Sequence, residues 1–322
     1  MKEYAGLTNK LLVLMAAFFL ISGISVTASA DDYYNYGSFN PGIGYTTGIA
    51  GYVDTSGNIE GIAGAEYLFV TGGPSYRGNH YAYTYRVETA GDPNLHPGNP
   101  DATGPIAPRT FTQVGSAYYL GNYASGHENA FYINDTGIYY GADDLGGITH
   151  WDFGWTDRTN IAPSTPVTTQ TLAYDEATGN WWAGDANRNL YMYDGSSWTY
   201  QGTHKSLGGG HHDGMEIIDG KLFVSDMTSD VLAMYNLDGS IDWSTPDKEF
   251  YYSESAYVEG MGYGPNNHIW ISGWVSKTFY EIGGGALQEE FEPVPEPSTL
   301  LLLGSALAGL AGFGRKRLFR KN

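Results

Sequence analysis

The stretch "DGMEIIDGKLFVSDMTSDVLAMYN", residues 213–236, decides how the central part of this chain folds, because its pattern returns at residues 259–283 as "EGMGYGPNNHIWISGWVSKTFYEIG". Each copy opens with an acid and a glycine and continues into a bulky run that Gly or Asp stops. A second strand-like run then follows. Short runs of β-branched and aromatic residues bounded by Gly and Asp are typical of strands. The two copies therefore predict a repeated unit built of short strands.

The bulky run occurs five times, and the last four copies begin 42, 41 and 47 residues apart. In those four copies the second run begins nine residues after the first, at Ile148, Leu190, Val231 and Thr278. In the first copy an insertion displaces it to residues 81–87. The shared register predicts five copies of one structural unit. The five bulky runs are "LFVTG" at 68–72, "YYGAD" at 139–143, "WWAGD" at 181–185, "LFVSD" at 222–226 and "IWISG" at 269–273.

A unit of about 40–50 residues with three or four strands is the signature of a propeller blade. We therefore predict an all-β fold, a β-propeller with five visible blades. Residues 33–56 add either a closing strand or a sixth blade, and residues 89–108 form a Pro- and Gly-rich insertion loop. An irregular β-sandwich also explains strands bounded by glycine, but it does not explain the shared register.

The repeats "EGMGYGPNNHIWISG" and "DGMEIIDGKLFVSD" resemble blades of the six-bladed propellers of the SMP-30/gluconolactonase and NHL type. The resemblance lies in the pattern of the repeats and covers some 200 residues, on the order of two thirds of the chain. It implies a propeller fold and raises a metal-dependent lactonase as a candidate activity. The sequence departs from the lactonase pattern because no metal-binding Asn and catalytic Asp stand out.

The beginning of the chain has the marks of a cleavable secretory signal over residues 1–30. Two lysines precede the apolar run "LLVLMAAFFLISGISV", and "ASA" comes just before Asp31. A basic start, an apolar run and an Ala-x-Ala site are typical of signal peptides, and an uncleaved anchor is the alternative. The chain has no cysteine. Thiol catalysis and Cys-type zinc sites are thereby excluded, and core packing alone must hold an exported domain together.

The remaining domain, residues 31–292, is strongly acidic. It contains nine Lys and Arg against 33 Asp and Glu, a net charge of −24, within a whole chain of −19. Such a surface repels phosphate backbones and anionic lipid, so we expect no nucleic-acid partner. Cations, neutral glycans and basic proteins are compatible partners, and solubility outside the cell alone also explains the charge.

The end of the chain, residues 293–322, combines prolines, an apolar run and basic residues. Residues 299–314 carry no charge, and the basic end spans 315–321. A helix needs about 20 apolar residues to cross a bilayer comfortably, so this 16-residue run predicts a short apolar helix. The basic end would stay cytoplasmic and leave the acidic domain outside. The prolines upstream predict an extended spacer.

This tail, "VPEPSTLLLLGSALAGLAGFGRKR", resembles the PEP-CTERM sorting signal of Gram-negative bacteria, with Pro295, Glu296 and Pro297 as its motif. Its basic cluster begins with Arg315, Lys316 and Arg317. The resemblance implies recognition by an exosortase in the inner membrane and removal of the tail. It also implies delivery to the cell surface or the exopolysaccharide matrix. A permanent single-span anchor is the alternative.

Acidic residues begin four of the five repeats, namely Glu60, Glu128, Asp213 and Glu259. If these positions lie on the strands that line a propeller channel, the carboxylates converge at one end of it. A ring of oxygen ligands suits a divalent cation such as Ca²⁺, and a histidine such as His212 shifts the preference toward transition metals. The alternative is that these acids cap turn amides where the blades begin.

No nucleophile elbow, phosphate loop or zinc-protease motif occurs, and no catalytic residue is assigned. The leading hypothesis is a non-enzymatic, exported propeller that binds a glycan such as extracellular polysaccharide, a protein or a cation. The alternatives are a metal-dependent lactonase or esterase of the SMP-30 type and a purely structural matrix component.

Overall fold

A computed structural model gives the arrangement of the repeated part of the chain. It describes residues 34–75, 78–88, 110–123, 130–142, 147–164, 169–209, 212–227, 229, 231–251, 258–264, 268–273, 276–283 and 287. The predicted signal peptide 1–30, the insertion loop 89–108 and the tail 293–322 lie outside these ranges. Within them, no helix is long and apolar enough to cross a membrane.

The described strands form five antiparallel sheets of four strands each, which we number as blades in chain order. The first blade contains β2 (Tyr45–Asp54), β3 (Ala65–Gly73), β4 (Gly78–Glu88) and β5 (Thr110–Tyr123). The second contains β6 (Ala130–Asn134), β7 (Gly137–Ala142), β8 (Gly147–Trp151) and β9 (Arg158–Ala162). The third contains β10 (Thr171–Asp175), β11 (Asn180–Gly184), β12 (Asn189–Tyr193) and β13 (Trp198–Thr203).

The last two blades have the same organisation, but the fifth blade takes one strand from the beginning of the chain. The fourth blade contains β14 (His212–Ile218), β15 (Lys221–Asp226), β16 (Val231–Asn236) and β17 (Lys248–Tyr251). The fifth contains β18 (Val258–Gly264), β19 (His268–Gly273) and β20 (Thr278–Gly283), and β1 (Tyr34–Phe39) pairs antiparallel with β20 as its outer strand. The early residues thus supply a closing strand, and the described blades number five.

The repeat predicted from the sequence is confirmed in its register. The five bulky runs fall on the second strands β3, β7, β11, β15 and β19, and the runs that follow them fall on the third strands. The first strands β2, β6, β10, β14 and β18 contact one another in a closed ring. This ring of inner strands surrounds the central channel of a β-propeller.

The hydrophobic core is divided among the five interfaces between neighbouring blades. One buried cluster joins the first and second blades around Tyr67 and Tyr140, and another joins the fourth and fifth around Phe223 and Ile271. Three further clusters fill the other three interfaces. Because each blade packs on both faces, its second strand is buried almost throughout. This explains continuous apolar runs such as "LFV" in place of a clean polar alternation.

Candidate functional site

The inner strands run in one direction along the channel, so the channel has two different mouths. At the beginnings of β10 and β14, the Thr171 hydroxyl lies 3.3 Å from Nε2 of His212. At the ends of β2 and β6, the Tyr52 hydroxyl donates to Oδ1 of Asp135 at 2.6 Å. We call the mouth where the inner strands begin the start mouth and the one where they end the end mouth.

Two of the acids that the repeat predicted as metal ligands, Asp213 and Glu259, lie on inner strands at the start mouth. The pairing of β14 with β15 skips Asp213, and the pairing of β18 with β19 skips Glu259. Such bulges re-aim the side chain of the extra residue. Asp213 is only 2% exposed. The fold therefore brings Asp213 and Glu259 to one register position on adjacent inner strands, whereas Glu128 and the side chain of Glu259 lie outside the described residues.

His212 is fully buried at the start of β14, between the third and fourth blades. Its Nε2 lies 3.0 Å from the carbonyl oxygen of Gly214, an acceptor that calls for the proton on this nitrogen. A Cβ at Gly184 would lie 2.4 Å from the ring of His212, so glycine is needed there to make room. The Nε2 of this predicted ligand is thus held by a hydrogen bond within its own strand, while the ring packs against Gly184 of the third blade.

A second buried histidine, His204, packs edge-on against His212 with ring centroids 4.6 Å apart. Burial lowers the pKa of His204 to about 4, although the nearby Asp226 carboxylate acts in the opposite direction. Oδ2 of Asp226 accepts the backbone N–H of Leu207 at 2.7 Å. His204 is therefore neutral at pH 7, and it adds no positive charge to the start mouth.

Glu60 lies elsewhere, and its predicted placement on a channel-lining strand is wrong. It sits in the exposed turn between β2 and β3, where Oε2 pairs with Arg86 at 2.7 Å and accepts the Tyr67 hydroxyl at 3.2 Å. The inner strand of that blade, β2, comes before Glu60 and has its own irregular pairing between Thr46 and Ile49. The turn between the first and second strands is longer in this blade than in the fourth one. The acid-Gly pair therefore falls in the turn and not at the beginning of the inner strand.

Few of the side chains predicted to bind a cation at the start mouth are described by the structure. Across the described ranges, no group of three or more His, Asp or Glu side chains is arranged to hold a metal ion. Of the five predicted ligands, only His212 and Asp213 have described side chains at this mouth. A divalent-ion site here therefore depends on Glu128 and Glu259 and stays a prediction.

The end mouth opens into two adjoining cavities of about 380 and 720 Å³. We call them together the end-mouth depression. Both volumes fall within the range of about 300–1,000 Å³ that ligand pockets usually have. Four residues line both cavities, and all five blades contribute to the walls. The shared residues are Tyr132, Glu176, Glu216 and Tyr263.

Tyrosine hydroxyls paired with carboxylates form much of the wall of the depression. The Tyr132 hydroxyl donates to Oε1 of Glu176 at 2.7 Å, across the second and third blades. Tyr52 and Asp135 form a similar pair across the first and second blades. Burial, and then the carboxylate beside it, raises the pKa of Tyr132 well above its usual range. This phenol therefore stays protonated and keeps orienting Glu176 at any physiological pH.

Glu216 forms the buried part of the wall where the two cavities meet. Its side chain lies on β14 and is only 4% exposed. Oε2 accepts the backbone N–H of Tyr263 on the neighbouring inner strand at 2.8 Å, and Oε1 accepts that of Ile217 at 2.9 Å. Burial raises the pKa of Glu216 to about 8 despite these hydrogen bonds. The group is thus largely protonated at pH 7 while it satisfies an edge amide of β18.

The residues of the depression were not predicted as a site. Tyr132 and Tyr174 each stand seven residues before the bulky run of their own repeat, and this shared offset was a usable signal. Glu216 carried no comparable signal, because a single acid within "MEII" looks like an ordinary strand residue. Only closure of the ring brings positions more than 80 residues apart, such as Tyr132 and Glu216, to one cavity.

Residues 293–317 match the PEP-CTERM protein-sorting motif. The chain carries a PEP-CTERM sorting signal. The matched range includes the predicted Pro295, Glu296 and Pro297 and reaches the basic cluster at Arg317. The motif implies an exported protein that is transiently anchored in the membrane and processed there by exosortase. A PEP-CTERM signal therefore follows a five-bladed propeller in this chain.

Several solved structures are similar to this fold at low sequence identity. Glutaminyl cyclase from Myxococcus xanthus aligns with a TM-score of 0.49 and 12% identity, covering 78% of this chain and 95% of its own. A nidogen/laminin complex aligns at 0.40 and 13%, covering 73% and 74%. A structural genomics protein of unknown function from Bacteroides thetaiotaomicron aligns at 0.42 and 14%, covering 80% and 73%. No curated protein matches the sequence.

Proposed function

We propose that this protein is a non-enzymatic binding propeller of the cell surface or exopolysaccharide matrix, which holds a glycan in its end-mouth depression. The observation that supports this most is the depression itself, a concave site built by all five blades from tyrosines and carboxylates. Aromatic faces stack on the apolar faces of sugar rings, and carboxylates accept hydrogen bonds from sugar hydroxyls. No residue of the sequence is predicted to be catalytic.

The shape and chemistry of the depression favour an extended polar ligand over a small apolar one. Tyr263 is 39% exposed at the rim, so its ring is accessible to a ligand that crosses the mouth. Glu176 and Asp135 are both exposed and are held in place by tyrosine hydroxyls. Oriented acceptors beside an aromatic face lose little conformational entropy when a sugar binds. These features support recognition of a polyhydroxylated chain.

The sorting signal supports the location in this proposal. The motif implies processing by exosortase at the membrane before release to the surface, and this supports a partner outside the cell. The acidic domain, with its net charge of −24, is suited to neutral or positively charged partners and unsuited to nucleic acid. Extracellular polysaccharide is therefore the partner that we propose.

Glycan binding by the purified full chain tests this function. An array of neutral, basic and acidic oligosaccharides is followed by calorimetric titration of those that bind. Tyr263→Ala removes the accessible ring and is expected to weaken binding roughly tenfold. Tyr251→Ala is the matched control, because Tyr251 is 61% exposed on the outer strand β17, away from the channel. Binding that is equally weakened by both changes, or absent for every glycan, contradicts the proposal.

A metal-dependent hydrolase of the lactonase type is the second candidate, and it depends on the start mouth. Asp213 and Glu259 share a register position there on adjacent inner strands. Asp213 directly follows the buried His212. A divalent ion at these carboxylates would polarise a carbonyl group of a lactone or ester. We propose this activity only as the alternative.

Thermal unfolding with metal ions separates the two candidates. An ion that binds only the native state must raise the melting temperature according to its affinity and concentration. Under the hydrolase proposal, Ca²⁺, Mn²⁺ or Zn²⁺ raises the melting temperature of EDTA-treated protein, and Asp213→Asn abolishes the rise. Asp238→Asn, in the exposed loop after β16, leaves it unchanged. A melting temperature that no ion shifts rules out the metal-dependent hydrolase.

A further inference from the structure

The carboxylates of the end-mouth depression come from three consecutive blades. Asp135 belongs to the turn after β6, Asp175 and Glu176 lie at the end of β10 and in the turn after it, and Glu216 and Asp219 lie on β14 and in the turn after it. The described residues that line the depression include no Lys, Arg or His. The wall therefore has acidic groups from three sides and no cation among these residues to balance them.

Two of these carboxylates affect each other directly. The charge of Glu176 raises the pKa of Glu216, in addition to the larger effect of burial. Glu216 is largely protonated at pH 7, so the negative charge of this wall belongs to exposed carboxylates such as Glu176, and a cation beside such a carboxylate stabilises it. The Tyr132 hydroxyl holds Glu176 in position at 2.7 Å, so the acceptor is already oriented. The depression thus has a preorganised place for one positive group.

A bare metal ion fits this place poorly. The described residues contain no group of three or more acids or histidines arranged as metal ligands. Oε1 and Oε2 of Glu216 already accept the amides of Ile217 and Tyr263. The larger cavity has a volume of about 720 Å³, far more than one ion occupies. An organic cation, in which one ammonium group is attached to a bulky polar body, fits both the charge and the volume.

We propose that the end-mouth depression selects amino sugars, and that it binds the protonated primary amine of such a unit beside Glu176 and its ring against Tyr263. This inference depends on the proposed glycan-binding function and names its substrate class. An ammonium group donates three hydrogen bonds and is attracted to both the carboxylate and the face of a tyrosine. N-acetylation removes the charge, and an acidic sugar is repelled by the same wall.

Binding of three short oligosaccharides to the purified full chain tests the inference. The probes are a glucosamine trimer with free amines, the N-acetylglucosamine trimer and a galacturonic acid trimer, titrated by calorimetry at mildly acidic pH. We expect the free amine to bind roughly tenfold more tightly than the acetylated trimer, as one charge-assisted hydrogen bond provides. We expect no measurable binding of the acidic trimer.

The variant Glu176→Gln keeps an acceptor for Tyr132 but removes the charge, so the preference for the free amine is expected to disappear. Asp238→Asn removes one exposed charge from the outer rim of the fourth blade and is expected to leave the preference intact. Equal weakening by both variants means general attraction to an acidic protein, and it overturns the inference.

The failure of this inference and the failure of glycan binding give different results. Equal affinity for the free and the acetylated trimer overturns the amine preference, while the glycan-binding function stands. Binding of the amine trimer that is unchanged in Glu176→Gln overturns the site assignment. If no glycan on the wider array binds the wild-type protein, the proposed function itself is wrong.

Discussion

Glu216 couples the stability of the fold to pH, because its carboxyl group is buried. Its ordinary pKa of 4.5 applies to the unfolded chain, whereas burial raises the pKa to about 8 in the folded protein. Between these two values the folded state binds a proton that the unfolded state has lost. Stability from this group is therefore greatest at low pH and decreases as the pH rises from about 4.5 to about 8. A loss on the order of a few kcal/mol is expected across that window.

Replacement of Glu216 by Gln removes this ionisation and is predicted to flatten the pH dependence of stability. Chemical denaturation of the wild type and of Glu216→Gln between pH 5 and pH 8 gives the free energy of unfolding as a function of pH. The difference between the two slopes reports the ionisation of Glu216. Glutamine loses one acceptor for the amides of Ile217 and Tyr263, so the variant is less stable at low pH. Parallel curves for the two proteins would show that Glu216 does not titrate in this window.

Among the strands, β1 closes the ring, because it brings residues near the start of the chain to the last blade. Phe39 at its end lies 4.1 Å from Phe111 and 4.8 Å from Tyr85, ring to ring, both from the first blade. Its ring thus connects the fifth blade with the first one. Phe39→Ala is predicted to lower the free energy of unfolding by about 2 kcal/mol, since the ring is half-buried.

Urea denaturation of the purified protein measures this effect. Tyr251→Ala is the matched control, because it truncates an exposed aromatic residue on an outer strand and is expected to change stability by no more than about 0.5 kcal/mol. If Phe39→Ala costs no more than this control, β1 contributes little to closure and the ring must close through the inner strands alone.

The inner strands β2 and β18 approach each other closely because β18 has glycines at alternate positions. A Cβ at Gly262 would lie 2.1 Å from the carbonyl oxygen of Ile49, which belongs to backbone and cannot rotate away. Gly262→Ala is therefore predicted to destabilise the fold by about 2 kcal/mol. The control is Gly154→Ala, where the nearest atom is the Asp152 carboxylate oxygen at 3.3 Å. Equal melting temperatures of the two variants would mean that the strands separate without cost.

The sequence predicts the second and third strands of each blade well, because a strand between two packed faces is a continuous apolar run. The first strands are harder to predict from the sequence, as Glu60 shows. Its repeat has a longer turn between β2 and β3, so the shared acid-Gly pair marks a turn there and a strand elsewhere. The end-mouth depression was not predictable from local pattern, because Tyr52, Tyr132 and Glu216 meet only once the ring has closed.

At the scale of the whole molecule, β1 begins and β20 ends on the side of the end-mouth depression. Gly283 at the end of β20 pairs with Tyr34 at the start of β1, and Ile282 pairs with Ile269 near the beginning of β19. The beginning of β19 follows the end of the inner strand β18. The last described strand, β20, therefore ends on the face of the propeller that bears the depression.

We predict that the sorting signal controls release from the membrane, and its Pro-Glu-Pro motif is the part to change. Replacing Pro295, Glu296 and Pro297 by alanine leaves the apolar run and the basic cluster intact, so we expect the chain still to be held in the membrane. We predict that the variant accumulates in the membrane fraction with its tail attached, while the wild type is found outside the cell in a shorter form. Immunoblotting of cell fractions measures both the location and the length. Pro293→Ala changes a proline before the motif and is expected to behave as the wild type. Normal release of the triple variant would show that exosortase processing does not require these three residues.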